Sequence, residues 1–523
     1  MLNNIVSQIS HKLHTVTPPH AAMLEAPRRI TKSITLLTLI GSIHGLVGSV
    51  STEKTVETES IHALVDDSPS ATTVDSLSAL KPYLDDDNVH VKLLPGTYTI
   101  TEEDVNNGLY PDETDILGRV NRVFLLFSGN NSTYDFTGVT LNIETAAFRA
   151  AGIRRFIELQ IIGNGNVLKN LTMVDVGTVD DAPNDRGTNI VMDGSRNRIE
   201  GFHMTIKGSY PYGYGDAFGK GGNTVIKHRK HSALLIRGDY NHIKGCTLIH
   251  RSYGHGIFMQ AANNPTIEDC YVEGETRTTD EMLLEEGTGS PADLVDFKTI
   301  WGYRLPKGYT KSTGEAGIRA YNAGETIIDG VEYSRGTNDV TVLNCRIKDM
   351  RVGVTLTHAR GKKYVEGCEA IGTERGYAIG SGDIVNCSAD VQHGPAFGVD
   401  YERDSGVNAD ITILPHGDPN RGNQNGSKHV AYITGKNHNL TFRTTATNFE
   451  QELIINVGGD RRIISSVTTV DDYLATNMTI NNYTGYPMVL GGKSSDIVGL
   501  SGGSIADSGS DNSISAIDFE SVK

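Results

Sequence analysis

The sequence predicts an all-β chain that folds as a parallel β-solenoid, and two repeated patterns indicate this class. The first pattern is an aliphatic residue, two mostly polar or small residues, and then an apolar residue. Its copies end at Leu171, Phe202, Cys246, Cys270, Cys345, Cys368 and Cys387. The second is a short strand with Gly or Phe near its start. Its copies are Gly256–Gln260, Gly317–Tyr321, Gly353–Thr357, Gly376–Gly380 and Phe397–Tyr401. Repeats of 20–25 residues made of short β-branched strands and Gly, Asn or Asp turns are typical of such a solenoid.

The five cysteines share one position of the first pattern, so we expect them to lie in one inward-facing column. Cys246 should stack on Cys270, and Cys345, Cys368 and Cys387 should lie in the same column. Because Cys acts as a small, soft hydrophobic residue, we expect buried, reduced thiols. The alternative, common in exported proteins, is a set of disulfides with one cysteine left over.

The strand pattern alternates, so neighbouring side chains should face opposite sides of the sheet. The predicted inward residues are Ile257, Met259, Ile318, Ala320, Val354 and Leu356. The predicted outward residues are Phe258, Gln260, Arg319, Tyr321, Thr355 and Thr357. We therefore expect the functional side chains on the outward face.

The N-terminal region is typical of an export signal. Residues 33–50 form an apolar run that follows Arg28, Arg29 and Lys32, and a start at Met23 would give a leader of ordinary length. We expect residues 1–51 to be a leader cleaved near Ser49–Ser51, with a single membrane anchor as the alternative. We then expect a linker over 52–79, the solenoid over 80–505 and a tail over 506–523. The mature protein should be secreted, periplasmic or on the cell surface, without stable membrane insertion.

These repeats resemble those of right-handed parallel β-helix proteins, many of which are polysaccharide lyases or glycoside hydrolases. The resemblance covers about residues 80–505 and implies the fold. The sequence contains no stretch that matches a catalytic signature of pectate lyase, chondroitinase B or polygalacturonase. No catalytic residue is therefore implied by the resemblance, since a fold does not determine an activity.

Two long steps interrupt the repeat. The step from Phe202 to Cys246 is 44 residues and the step from Cys270 to Cys345 is 75 residues. We expect inserted loops at Tyr210–Asn223 and Thr276–Glu315, and an extra strand pair around Ile327–Tyr333. Insertions in solenoids tend to lie on one face, so the two loops should form the walls of a substrate cleft.

Charge is unevenly distributed along the chain. The formal net charge of −16 argues against a nucleic-acid partner. Yet the stretch Met204–His255 contains eight Lys and Arg against two Asp, a local balance of 8 − 2, or +6. Tyrosines in Gly-rich loops in the same region offer flat faces for sugar rings. The stretch therefore predicts a groove for an anionic polysaccharide, whereas a solvated basic turn is the alternative.

Such a groove could cleave a uronic-acid polymer, such as an alginate-like one, by β-elimination. That reaction needs a base, a proton donor and a cation on the uronate carboxylate. We expect Lys230 or His255 as the base, Tyr253 as the proton donor or second base, and Arg319 with Arg237 on the carboxylate. The side chains of Lys230, Tyr253, His255 and Arg319 should all be exposed on the outward face. Further substrate contacts are expected from His231, Arg251, Tyr321, Trp301, Tyr212 and Tyr214.

Two other functions fit the same sequence. A glycoside hydrolase needs two carboxyl groups, which Asp400 and Glu402 could supply, with Asp193 and Asp216 as further candidates. A carbohydrate-binding surface protein would use the groove without catalysis. The sequence has no metal motif, although scattered oxygen ligands could hold Ca²⁺. We expect a monomer whose partner is the anionic polysaccharide substrate.

Overall fold

The computed structural model describes residues 71–114, 118–152, 155–179, 186–220, 223–415, 428–449, 452–459 and 472–521. The predicted leader at 1–51 and residues 52–70 of the predicted linker lie outside these ranges. Within the described part of the chain, no helix has the length and apolarity needed to cross a bilayer.

The chain forms a parallel β-helix in which each coil adds strands to three parallel sheets. The first sheet contains Thr72–Val74, His90–Leu93, Thr133–Asp135, Val167–Lys169, Arg198–Glu200, His242–Lys244, Thr266–Glu268, Asn338–Leu343, Arg360–Glu366 and Gly435–Lys436. The second sheet contains Gly96–Ile100, Val139–Glu144, Thr172–Val176, His203–Ile206, Thr247–His250, Tyr271–Glu273, Arg346–Lys348, Glu369–Ile371, Asn439–Thr444 and Ser513–Ala516. Four longer strands continue through both sheets: Gly382–Ala389, Val407–Ile413, Ala475–Tyr483 and Ser494–Ser501.

The third sheet carries the second sequence pattern. Its parallel strands are Val120–Phe127, Arg155–Ile161, Gly187–Met192, His231–Ile236, Ile257–Met259, Ala316–Ala320, Val352–Thr355, Tyr377–Ala378, Phe397–Gly398, His429–Ile433, Ile454–Val457, Met488–Leu490 and Ile505–Asp507. Asp112–Thr114 joins it antiparallel to Val120–Phe127. The predicted inward residues of this sheet are buried in the core, which confirms the alternation used to assign the two faces.

The remaining elements are short. Among the described residues, three further antiparallel pairs join Gly219–Lys220 with Asn223–Thr224, Thr276–Thr278 with Thr310–Ser312, and Glu325–Ile328 with Val331–Ser334. The α-helices are Leu77–Leu80, Glu102–Asn106, Thr145–Ala150 and Thr279–Leu283, and the 3₁₀ helices are Lys81–Leu84, Asp293–Val295 and Phe519–Ser521. The third pair is the one predicted around Ile327–Tyr333.

The helix extends beyond the bounds predicted from the repeats. Thr72–Val74 pairs in parallel with His90–Leu93, and Ser513–Ala516 pairs with Ser494–Ser501. Part of the predicted linker and part of the predicted tail therefore belong to the β-helix. The pattern missed both because the terminal coils contain only fragments of the repeat.

The first sequence pattern marks the corner between the first and second sheets. The residue before each apolar position has a positive φ, which Gly, Asn and Asp tolerate best. These corner residues are Asn170, Gly201, Gly245, Asp269, Asn344, Gly367 and Asn386. The next side chain then turns into the core, which explains why an apolar residue or Cys follows.

The cysteine column is continuous over five coils. All five thiols are free and buried. The Cys246 thiol contacts that of Cys270, and the Cys270 thiol contacts that of Cys345. The backbone N–H groups of Cys345 and Cys368 each lie 3.4 Å from the sulfur of the next coil. The step of 75 residues is therefore a single coil with two insertions, and the predicted column is confirmed.

We predict that a thiol reagent will label none of the five cysteines in the native protein and all five in denaturant without reductant. Burial keeps the reagent out of the folded core, and no bond needs to be reduced. The measurement is a thiol titration before and after denaturation. Fewer than five reactive thiols in the denatured chain would contradict the free column.

Candidate active site

The candidate site lies on the outer face of the third sheet, where neighbouring coils bring distant segments together. Lys230 directly precedes the strand His231–Ile236, and Glu315 directly precedes Ala316–Ala320. Between these strands lies Ile257–Met259, in register with both. His255 precedes this middle strand by two residues. Side chains at the starts of three adjacent strands can therefore converge.

A line of close polar contacts connects Lys230 to Tyr321. The Lys230 Nζ donates to Glu315 Oε1 at 2.8 Å. The other oxygen of this carboxylate, Oε2, lies 3.2 Å from His255 Nε2. The same nitrogen lies 2.7 Å from the Tyr321 hydroxyl. We call these four residues the Lys230–Tyr321 line.

The protonation of His255 follows from its surroundings. Its Nδ1 accepts the backbone N–H of Ala316 at 3.2 Å, so in the neutral ring the proton lies on Nε2. Burial lowers the pKa of His255 to about 3, so the ring is neutral at physiological pH. The predicted base is therefore a neutral donor between Glu315 and Tyr321, with no free lone pair for a substrate proton.

Glu315 is the buried centre of a charged network. Burial alone would raise its pKa, but His255, Lys230 and Arg351 outweigh burial and hold the pKa of Glu315 well below its usual range. Arg351 also donates to Asp216 at 2.9 Å, and Asp216 accepts from Lys311 at 2.9 Å. The network thus holds the Glu315 carboxylate in its ionised form, in contact with Lys230.

Arg319 differs from these paired cations. It forms no ion pair with a carboxylate of any described residue, and its buried Nε has no hydrogen-bond partner. Its guanidinium lies 4.5 Å from the centre of the Tyr321 ring. Both side chains are half-buried, as the predicted outward orientation requires. Arg319 is a partly desolvated positive charge that an anionic ligand could neutralise.

Tyr321 is suited to hold a proton rather than to remove one. Burial raises its pKa, although the Arg319 charge opposes this rise. The phenol is therefore protonated at neutral pH. If it gives up its proton, the His255 N–H and the Arg319 cation stabilise the phenolate that remains.

The two inserted loops leave from the same side of the β-helix and pack on each other. Tyr214 and Phe218 of the first loop share a small hydrophobic core with Met282, Phe297 and Leu305 of the second. The second loop reaches the charged network through Lys311, whose Nζ lies 5.6 Å from the centre of the Trp301 ring. This packing confirms the prediction that Tyr210–Asn223 and Thr276–Glu315 project together. Trp301 is half-buried and stacks on Tyr303, so it offers an aromatic surface beside the site.

The expectation that all proposed catalytic side chains are exposed is wrong for Tyr253 and His255, which are 1% and 3% exposed. The Tyr253 hydroxyl donates to the Gly219 carbonyl at 3.0 Å, and burial raises its pKa well above the usual value. Lys230 lies over the Tyr253 ring at 4.9 Å. Tyr253 therefore supports Lys230 and the first loop instead of facing substrate.

We predict that Tyr253→Phe will retain most of the wild-type activity and lose about 1 kcal/mol of stability. The ring that supports Lys230 remains, and only one buried hydrogen bond is removed. Chemical denaturation and a polymer cleavage assay measure the two effects. Loss of activity by a hundredfold or more with an unchanged fold would restore Tyr253 as the proton donor.

Several predicted substrate contacts are engaged elsewhere. His231 is fully buried inside the coil, and Arg237 is 5% exposed and paired with Asp193 at 2.7 Å. Arg251 binds Glu273 at 2.8 Å. The charge balance of Met204–His255 included these cations but not the acidic residues of other coils that neutralise them. His231 and Arg237 therefore have no exposed surface with which to bind a saccharide.

The predicted tyrosine contacts are also partly used by the loops. Tyr214 is buried, and its hydroxyl contacts Glu285. Tyr212 is half-buried and donates to Glu275 at 2.8 Å. Both tyrosines hold the first loop against the second, whereas Trp301 is half-buried in the second loop and its ring stacks on Tyr303.

The carboxylates of the alternative hydrolase do not form a pair. The strand ends at Gly398, so Asp400 and Glu402 lie after it and not on one strand face. Asp400 accepts two hydrogen bonds of 2.9 Å from Arg375, whereas Glu402 accepts the backbone N–H of Leu474 at 2.8 Å. The other candidates, Asp193 and Asp216, are buried and each neutralised by Arg or Lys.

No family model and no curated protein matches the sequence. Solved structures that resemble this one include the alginate lyase AlyF-OU02 in complex with G6, at 10% identity and a TM-score of 0.39, covering 80% of this chain and 88% of that one. A mannuronic acid specific polysaccharide family 6 lyase from human gut microbiota has 10% identity and a TM-score of 0.41, covering 86% and 83%. A polygalacturonase from Erwinia carotovora ssp. carotovora has 10% identity and a TM-score of 0.35, covering 86% and 94%. The parallel β-helix of this chain is established independently by its own strand pairing.

Proposed function

We propose that the protein is an exported polysaccharide lyase that cleaves an anionic, uronic-acid-containing polymer such as an alginate-like one by β-elimination. The observation that carries the proposal is the Lys230–Tyr321 line with Arg319 beside it. It supplies a basic nitrogen, a protonated phenol and an unneutralised guanidinium on one face of the third sheet.

In this reaction Arg319 binds the carboxylate of the uronate whose C5 proton is removed. Charge builds up on this carboxylate in the transition state, and an ordered cation in a partly desolvated site stabilises it. Because Arg319 has no carboxylate partner among the described residues, it can make this contact without breaking an existing ion pair. Trp301 supports a neighbouring sugar ring from the loop wall.

Lys230 acts from its deprotonated form: the ammonium that pairs with Glu315 first loses its proton to solvent, and the free amine then removes the proton at C5. The electron pair of that C–H bond becomes the double bond between C4 and C5, and the bond from C4 to the bridging oxygen breaks. Tyr321 gives its proton to the departing oxygen. The products are an unsaturated uronate end and a new hydroxyl end, so atoms and charge balance without water.

The site must be reset before the next turnover. After cleavage Lys230 is an ammonium and Tyr321 a phenolate. Lys230 returns its extra proton to solvent, and the phenolate takes one up from solvent after the product leaves. Until then the His255 N–H, 2.7 Å from the Tyr321 oxygen, stabilises the phenolate, so the buried neutral His255 serves as a hydrogen-bond donor and not as the base.

The test is a panel of alginate, pectate, glucuronan and glycosaminoglycans, digested with and without a chelator. Ultraviolet absorbance from the unsaturated product on at least one polymer supports the proposal. New reducing ends without that absorbance would instead show a hydrolase. Binding without any cleavage across the panel would leave a carbohydrate-binding protein.

A further inference from the structure

A second polar cluster lies inside the β-helix, among core side chains. Glu158, Asn189 and His231 come from three consecutive strands of the third sheet, and Asp175 comes from the second sheet. All four side chains are at most 1% exposed. One oxygen of each carboxylate and one imidazole nitrogen lie within 4.8 Å of one another.

The cluster contains buried polar atoms that lack partners. Glu158 Oε1, Asn189 Oδ1 and both ring nitrogens of His231 form no hydrogen bond. Glu158 Oε1 lies 3.6 Å from His231 Nε2, beyond hydrogen-bond distance. Unpartnered polar atoms in a dry core are costly, so Glu158 Oε1 and His231 Nε2, which lie close together without a hydrogen bond, call for an explanation.

Protein charges do not explain the cluster. Neither Glu158 nor Asp175 forms an ion pair with a Lys or Arg within the described ranges. In this part of the chain the carboxylates are hydrogen-bonded only to neutral donors. The backbone N–H of Lys207 donates to Asp175 Oδ2 at 2.7 Å, and the Asn189 amide donates to Glu158 Oε2 at 2.7 Å. Both carboxylates are thus buried without an ion pair to any described Lys or Arg.

We propose that Glu158, Asp175 and His231 bind one divalent transition-metal ion of the Zn²⁺ or Mn²⁺ type inside the β-helix, with the Asn189 side chain as a further oxygen ligand. The ion supplies the missing positive charge and uses the unpartnered atoms. An imidazole with carboxylates suits Zn²⁺ and Mn²⁺ better than Ca²⁺, which takes oxygen ligands.

The geometry needs little adjustment. Two ligand atoms at about 2.1 Å from one ion are at most about 4.2 Å apart, so a contraction of a few tenths of an ångström brings the cluster into range. Asn189 contributes its oxygen if the amide is turned over, because the two orientations have the same shape. The rings of Phe148 and Phe156 pack edge-on against His231, with centroids 5.1 and 5.2 Å away, and keep it in place.

The ion would join three coils and two sheets at one point. It would also fix the start of the strand His231–Ile236, directly after Lys230. The site is nevertheless independent of the proposed lyase activity, because the cluster is buried and can be tested through metal content and stability alone.

The experiment uses the purified full chain. Metal content is measured by inductively coupled plasma mass spectrometry, and melting curves are recorded after chelation and after return of Zn²⁺, Mn²⁺ or Ca²⁺. We expect about one Zn²⁺ or Mn²⁺ per chain, and a melting temperature that falls by several degrees on chelation and recovers with either ion. Glu158→Gln and Asp175→Asn should lose the ion and the response, whereas Asp410→Asn, at an exposed carboxylate paired with Arg443, should keep both.

The stability of Glu158→Gln relative to the wild type should change direction with metal. This comparison tests the proposal even if one of the variants folds poorly. After chelation Glu158→Gln should be at least as stable as the chelated wild type, because a neutral amide replaces a carboxyl group that is costly to bury in its ionised form. With metal present it should be less stable than the wild type. The proposal is overturned if the wild-type chain binds neither Zn²⁺ nor Mn²⁺ at micromolar free ion, or binds only Ca²⁺. It is also overturned if both variants contain as much metal as the wild type.

Discussion

Replacing Lys230 by methionine should lower the rate of β-elimination by about 10²–10⁴-fold while leaving the fold intact. Removal of a general base typically has an effect of this size. Methionine keeps most of the side-chain length over the Tyr253 ring, and Glu315 retains Arg351 and His255 as neighbours. Initial rates on the polymer that the wild type cleaves, together with melting curves, measure the two effects.

The matched control is Lys244→Met, which removes the same charge from an ion pair with Glu268 on the first sheet. It should cleave at the wild-type rate. Arg319→Gln and Tyr321→Phe should each reduce the rate by at least about a hundredfold, since they remove the carboxylate contact and the proton donor. Wild-type rates in Lys230→Met or Tyr321→Phe would show that the line is not catalytic.

Replacing Arg351 by methionine should destabilise the protein by about 3–5 kcal/mol. Removing one partner of a buried ion pair leaves uncompensated charge, and Arg351 lies between two such carboxylates. Glu315 is 4% exposed and Asp216 is 2% exposed, so water cannot replace the lost guanidinium. The free energy of unfolding, from denaturant titration at neutral pH, measures the effect.

The same variant has a defined dependence on pH. A carboxylate whose pKa is lowered by folding contributes stability above its ordinary pKa of about 4.3, and loses that contribution as the pH falls through the folded value. The difference between wild type and Arg351→Met should therefore shrink below about pH 4. The control Arg443→Met removes an exposed pair with Asp410 and should change stability by less than about 1 kcal/mol at either pH. Equal effects of the two substitutions would contradict a buried network.

The fold was predictable because every coil has the same conformational requirement at its corner. Each corner needs a residue that tolerates positive φ, such as Asn344, followed by an inward apolar side chain, such as Cys345. A requirement of this kind leaves a pattern in the sequence at every coil. The asparagine ladder of Asn166, Asn197 and Asn241, whose side chains bond the backbone of adjacent coils, is a similar requirement that neither repeated sequence pattern contains.

The site was only partly predictable. Arg319 and Tyr321 were placed correctly because they continue the alternation of a regular strand. His255 and Tyr253 precede their strand, where the chain turns and alternation no longer assigns a direction. Glu315 and Arg351 gave no signal, because they meet only through the register of neighbouring coils, after a 40-residue insertion that ends at Glu315 itself.

The measurement that tests the central claim most directly is the mass of the oligosaccharides released from a defined anionic polymer by the wild-type protein. β-Elimination gives fragments with an unsaturated end, each lighter by one water than the corresponding hydrolysis product. We predict that every new non-reducing end carries this mass, and that Tyr321→Phe forms at most about a hundredth as much. Fragments that all carry the added water would contradict a lyase built on Lys230, Arg319 and Tyr321.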